Sequence, residues 1–101
     1  MDLSTWRTWW KRVGERELRR LVMEEWDPFH VSDRGPEAFG EYDSYLGQIA
    51  RRLREGASAE EIASYLATAR ENMDPDPADL HASERIVEWY ALSTNRFAKP
   101  S

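Results

Sequence analysis

The residue types that could carry chemistry are concentrated in two neighbouring stretches of the chain. Asp27 and His30 lie in the segment Trp-Asp-Pro-Phe-His-Val, and Glu41 and Asp43 lie in the segment Glu-Tyr-Asp-Ser-Tyr. Two carboxylates whose surroundings separate their pKa values can act as a general acid and a general base. The sequence therefore allows a small metal- or carboxylate-dependent hydrolase built around Asp27, His30 and Asp43.

The same residues also have a structural interpretation. Asp27 precedes Pro28, so its carboxylate can accept backbone N–H bonds in the turn that the proline makes. Asp43 can pair with a guanidinium group of the first helix. The candidates for that pair are Arg16, Arg19 and Arg20.

A metal site formed by His30, Asp33, Glu41 and Asp43 would use ordinary imidazole and carboxylate ligands. Their spacing matches no familiar template, because the chain has no HExxH motif and its acidic segments lack the glycine and terminal glutamate of a calcium loop. Without cysteine, thiolate sites and disulfides are also excluded. We therefore expect neither a metal nor a cofactor.

Length and composition indicate one folded domain over residues 1–101. The chain has 101 residues, a net charge of −5, five tryptophans and 41% hydrophobic residues, which is enough for one core. No apolar run approaches the length that spans a bilayer, and the N-terminus does not resemble a signal peptide. We expect a cytoplasmic protein that is not associated with a membrane.

The apolar residues recur every three or four positions, which is typical of amphipathic helices. The pattern predicts helices over about 4–26, 36–55, 58–73 and 77–94, with a ragged tail from about 95. Gly14 leaves open whether the first segment is one kinked helix or two shorter ones. The fold class is therefore all-α, a compact bundle of four to five helices.

Helix-terminating signals support these boundaries. Ser4 is a candidate N-cap for the first helix, and Gly56 is in the usual position after the second. Ser58 followed by Glu61 forms a capping-box pattern, while an aspartate at 76 before a proline at 77 is typical of a helix start.

Charge alternates along the chain: residues 1–20 and 49–56 are basic, whereas residues 21–48 and 57–88 are strongly acidic. Either these segments neutralise one another across packed helices, or the acidic ones form a surface for a basic protein. The basic first helix is interleaved with tryptophans, as in nucleic-acid-binding proteins, but the acidic segments would repel phosphates. We expect no nucleic-acid partner.

The tryptophans at 6, 9 and 10 cover a wide arc of one helix. They form either a large core or an exposed aromatic anchor for a partner, since tryptophan is common in interface hot spots. In a third interpretation, the tryptophans of one chain cover those of another in a homo-oligomer.

Part of the chain resembles a group of small bacterial proteins of unknown function. The resemblance is carried by Trp-Asp-Pro at 26–28, Glu-Tyr-Asp-Ser-Tyr at 41–45, Ile49, Leu53, Gly56 and the helix at 58–66. It spans roughly residues 18–73 and implies a compact helical accessory protein of the cytosol. This chain differs from that pattern at Phe29 and His30, where an aliphatic residue and a glycine are typical. The resemblance implies no catalytic residue.

The function that we predict from sequence is a non-enzymatic inhibitor of the immunity or antitoxin type, which occludes a bacterial toxin. Its acidic and aromatic surface would meet lysines and arginines of a basic protein partner. The residues predicted to form that surface are Asp27, His30, Glu41, Tyr42, Asp43, Tyr45 and Trp9. The hydrolase and the homo-oligomeric regulatory or structural protein are the alternatives.

Overall fold

A computed structural model describes residues 1–26 and 43–99 of the chain, and in these residues it is helical without a β-strand, as predicted. The fold is all-α. The elements are α1 (Leu3–Trp9), a π-helical segment (Trp10–Gly14), α2 (Glu15–Glu25), α3 (Asp43–Arg54), α4 (Ala59–Ala69) and α5 (Pro77–Ala98).

The first helix begins two residues earlier than predicted. Asp2, not Ser4, is the N-cap, because its carboxylate accepts a hydrogen bond from the backbone N–H of Thr5 at 2.7 Å. Aspartate and serine cap equally well, so the sequence alone did not decide between them.

Gly14 does not break the helix: its backbone is helical, with φ −61° and ψ −50°, and the chain continues from the π-helical segment into α2. Gly14 is buried, and a Cβ atom at this position would lie 2.7–2.8 Å from ring carbons of Trp9 and Trp10. The glycine is therefore needed for space. It lets two indole rings pack against the helix backbone.

The capping signals of the later helices are confirmed. Gly56 has a φ of 89°, which favours glycine, and the Ser58 hydroxyl accepts from the N–H of Glu61 at 3.2 Å, as a capping box requires. Asp76 caps α5, with Pro77 in the first turn.

Two predicted helix ends are wrong. The third predicted helix stops at Ala69, because Glu71 adopts a φ of 63° and the N–H of Asn72 bonds back to the carbonyl of Ala67, as in a Schellman motif. Met73, predicted to be an apolar residue of that helix, is 98% exposed. The last helix continues to Ala98, where the tail was predicted to be ragged from 95, because Phe97 packs against the tryptophan cluster.

Helix α5 runs antiparallel to the continuous helical stretch formed by α1, the π-helical segment and α2. The two lie side by side along most of the length of α5. Trp26 at the end of α2 contacts Asp79 at the start of α5, whereas Trp9 of α1 contacts Ser93 near the other end. A larger core lies among α2, α3, α4 and α5, and a smaller one surrounds the buried Trp6 and Trp9. This pairing determines which side chains face each other on the surface.

Two glycine substitutions test the packing of the tryptophans. Alanine is favoured over glycine in helices by about 1 kcal/mol, so Gly47→Ala on the exposed face of α3, where a Cβ meets nothing within 4 Å, should stabilise the protein. Gly14→Ala should instead destabilise it by about 1–3 kcal/mol, because the new methyl overpacks buried indole rings. Urea unfolding measures both. Equal stabilisation by the two variants would contradict the packing described here.

Candidate functional site

The residues that the sequence predicted as a site are only partly placed by the structure. Asp43 and Tyr45 lie in the first turn of α3. The predicted residues Asp27, His30, Glu41 and Tyr42 lie outside the described residues.

Asp43 forms an ion pair with an arginine of α2, which is the structural role that the sequence allowed for it. Of the three candidate arginines the partner is Arg19, whose Nη2 and Nε lie 3.0 and 3.1 Å from the Asp43 carboxylate. The same guanidinium lies 3.3 Å from Glu15. This partly exposed group ties α3 to α2. Tyr45, half-buried, packs edge-on against the ring of Trp26.

Trp9 is not an exposed anchor, contrary to its assignment to the partner-binding surface. Its side chain is 0% exposed, and its indole N–H donates to the Ser93 hydroxyl at 3.0 Å. Trp6 is also buried, and its N–H donates to Tyr90 at 2.8 Å. Helix α5 of the same chain thus covers both rings, and the core interpretation is confirmed for Trp6 and Trp9, whereas Trp10 is half-buried.

A buried carboxylate that the sequence analysis missed joins three elements. Asp79, which is 0% exposed, receives hydrogen bonds from Arg70 Nε at 3.0 Å and Nη2 at 2.5 Å. The indole N–H of Trp26 donates to the same carboxylate at 2.9 Å, and so does the backbone N–H of Asp76 at 3.0 Å. The ends of α2 and α4 are thereby bonded to the start of α5.

The pKa of Asp79 reflects this environment. Burial alone would raise the pKa, but the hydrogen bonds from Arg70, the Asp76 backbone and Trp26 outweigh it and hold the pKa below its usual range. The carboxylate is therefore ionised at neutral pH, with its oxygens occupied by donors. It can hold helices together but has no proton to exchange with a substrate.

An open groove lies on the surface between α2 and α5. It has a volume of about 680 Å³, and its apolar lining includes Leu92, which is 58% exposed. Charged residues of both helices stand along it. The lining residues are Val13, Arg16, Glu17, Leu21, Arg85, Glu88, Trp89, Leu92, Ser93, Arg96 and Phe97.

Hydrogen bonds beneath the groove hold its walls together. The indole N–H of Trp89 donates to Glu17 at 2.9 Å, joining α5 to α2. Ser93 lies between Trp9 and Glu17: its hydroxyl oxygen accepts from the Trp9 indole and stands 3.5 Å from the Glu17 carboxylate. Glu17 thus has a structural role, because it holds α5 against α2. Of the three arginines that line the groove, only Arg16 belongs to the basic first helix noted in the sequence. The groove itself was not predicted, because only the antiparallel pairing brings its walls together.

Comparisons with known proteins give no relative for this chain. No family model, curated protein or solved structure matches it. The resemblance over residues 18–73 therefore stays a prediction. In residues 1–26 and 43–99, no group of histidine, aspartate and glutamate side chains could hold a metal ion, and none of the helices there is both long and apolar enough to cross a membrane.

The buried carboxylate makes stability depend on pH. Asp79→Asn should lower the free energy of unfolding by about 1.5–3 kcal/mol at neutral pH, since it removes the buried anion that Arg70 binds through two N–H groups and leaves that guanidinium only the half-exposed Asp76, at 2.8 Å. The Asp79 pKa is lowered on folding, so its stabilisation is present above the unfolded value of about 3.9 and is lost as pH falls through the folded value. The difference in free energy of unfolding between the wild type and Asp79→Asn should therefore become smaller at acidic pH. Thermal and urea unfolding across pH measure this.

Asp74→Asn is the matched control, because Asp74 is exposed in the same connection, and its effect should stay within about 0.5 kcal/mol. A penalty for Asp79→Asn that is the same at acidic and neutral pH would contradict an ionised buried carboxylate.

Proposed function

We propose that this chain is a non-enzymatic protein-binding domain of the cytoplasm. In this proposal it acts as an inhibitor of the immunity or antitoxin type, by covering a functional surface of a bacterial toxin. The observation that carries the proposal is the groove between α2 and α5, which apolar and charged residues of both helices line.

The groove has the chemistry of a protein-docking surface. An apolar centre with arginine and aromatic residues around it is the usual composition of an interface hot spot. Leu92 exposes an apolar side chain there, beside Arg96 on the same helix. Both walls are regular helices joined by hydrogen bonds, so little order has to be gained on binding.

The positions of the described carboxylates favour binding over hydrolysis. Asp79 is surrounded by donors, and Glu17 accepts from Trp89. Asp43, one of the three residues of the hydrolase alternative, is paired with Arg19. Each of these groups has a structural partner, which supports a scaffold that presents a surface.

The basic partner expected from sequence is a second candidate, located at the start of α3. Asp43 and Glu15 place two carboxylates around the single guanidinium of Arg19, and both are about half exposed. That corner has an excess of negative charge beside the half-buried Tyr45. A lysine or arginine of a partner could bind there.

Capture of the partner tests the proposal. We expect the tagged chain to retain a protein from the bacterium that encodes it, and the two purified proteins to form a stoichiometric complex. Arg16→Glu/Arg96→Glu should weaken that complex at least about tenfold, since it reverses two charges of the groove. If the partner is a toxin, its expression alone arrests growth, and co-expression of this chain restores growth.

Arg7→Glu/Lys11→Glu is the matched control: it changes net charge equally, at exposed residues outside the groove lining. Circular dichroism establishes that all variants fold. A partner that is harmless when expressed alone would contradict the inhibitor role, and loss of binding only in Asp43→Lys would move the interface to the second candidate.

The kinetics of the same complex give a further prediction. Charged rims accelerate association, so the association rate should fall as salt shortens the screening length below about 10 Å, while the dissociation rate changes less. Stopped-flow or surface plasmon resonance measures both rates. An association rate that does not change with ionic strength would contradict a role for these charges in recognition.

A further inference from the structure

The groove between α2 and α5 is a basic feature on an acidic protein. Three arginines line it against two glutamates, although the whole chain has a net charge of −5. One of those glutamates, Glu17, is half-buried and already accepts a hydrogen bond from Trp89. The other, Glu88, is exposed. The groove therefore favours a ligand with the opposite charge from the one that the sequence composition suggested.

The arginines of the groove are largely free to bind. Within residues 1–26 and 43–99, neither Arg16 nor Arg96 takes part in an ion pair. Arg85 lies 3.9 Å from Glu25, but that carboxylate lies closer to His81, at 3.1 Å. Arginine binds carboxylates through two parallel N–H bonds, so these positions suit acidic side chains.

The distance between two arginines of the groove matches the length of a short bound helix. Arg85 and Arg96 are separated by eleven residues of α5, which corresponds to about 16 Å, or three helical turns. Between them the apolar lining includes Trp89 and Leu92, with Val13 on the opposite wall. The apolar face of a helix of about three turns would cover these side chains, and its flanking residues would reach the arginines.

The walls do not offer a sheet edge on which a peptide could bind by strand addition. An extended peptide binds by adding a strand to the edge of a sheet, and the part of the chain that forms the groove is helical on both sides. Two antiparallel helices instead offer ridges and grooves in which a third helix can pack.

We propose that the groove binds an acidic amphipathic helix of a partner protein. The partner's apolar residues pack on Leu92 and Trp89, and its aspartates or glutamates bind Arg16 and Arg96. This inference rests on the proposed function and specifies the partner chemistry of the same site.

Selection from a random peptide library provides the test. Phage that display random peptides of about 16 residues, long enough for more than three turns, are selected on the folded wild-type protein. We expect enriched sequences to have apolar residues every three or four positions, with an excess of aspartate and glutamate beside them. A synthetic copy of an enriched peptide should bind at least about tenfold more weakly to Arg16→Glu/Arg96→Glu and to Leu92→Asp.

Arg7→Glu/Lys11→Glu should bind that peptide as wild type does. The proposal is overturned if no peptide is enriched, if the enriched peptides are neutral or basic, or if the groove variants bind them unchanged. Basic peptides that lose affinity for Asp43→Lys would overturn the groove assignment while leaving a protein-binding function intact. The proposed function fails separately if the cellular capture yields no protein that binds directly.

Discussion

The buried carboxylate of Asp79 is the interaction on which the arrangement of the helices depends. A carboxylate without solvent is costly unless donors surround it, so the fold must bring Arg70, Trp26 and the Asp76 backbone to one point. Those groups come from the end of α4, the end of α2 and the start of α5. Once they meet, the start of α5 is held at the end of α2.

A second constraint acts at the opposite end of the same helix pair. Gly14 leaves room for the rings of Trp9 and Trp10, and the π-helical segment carries the chain past them without a break. The buried indole of Trp9 then reaches Ser93 of α5. Because α5 is fixed at both ends, the apolar residue that it exposes between them, Leu92, lies in a groove with defined walls.

The sequence predicted what depends on neighbouring residues. The helical class follows from periodicity, and the caps at Ser58 and Asp76 follow from short-range side-chain chemistry, so both were read correctly. The end of α4 was missed because the αL turn at Glu71 lacks the usual glycine.

Features that depend on contacts between distant segments were not predicted in this way. No local sequence pattern indicated that Asp79 is buried and bonded, since its donors include Trp26, which is 53 residues away. Trp9 could have been core or surface until α5 was placed over it. The charge segments did suggest mutual neutralisation, and Arg19 with Asp43 is one such pair, but a basic groove on an acidic chain emerges only when α2 and α5 are set side by side.

We propose that a partner binds the face between α2 and α5. A crystal structure of the chain in complex with the captured partner would test this proposal, by the solvent-accessible area that each side chain loses. We expect Leu92 to be buried beneath a helix of the partner, and the guanidinium groups of Arg16 and Arg96 to contact carboxylates of that helix. A partner seated on Asp43 and Tyr45, with Leu92 still exposed in an open groove, would contradict it.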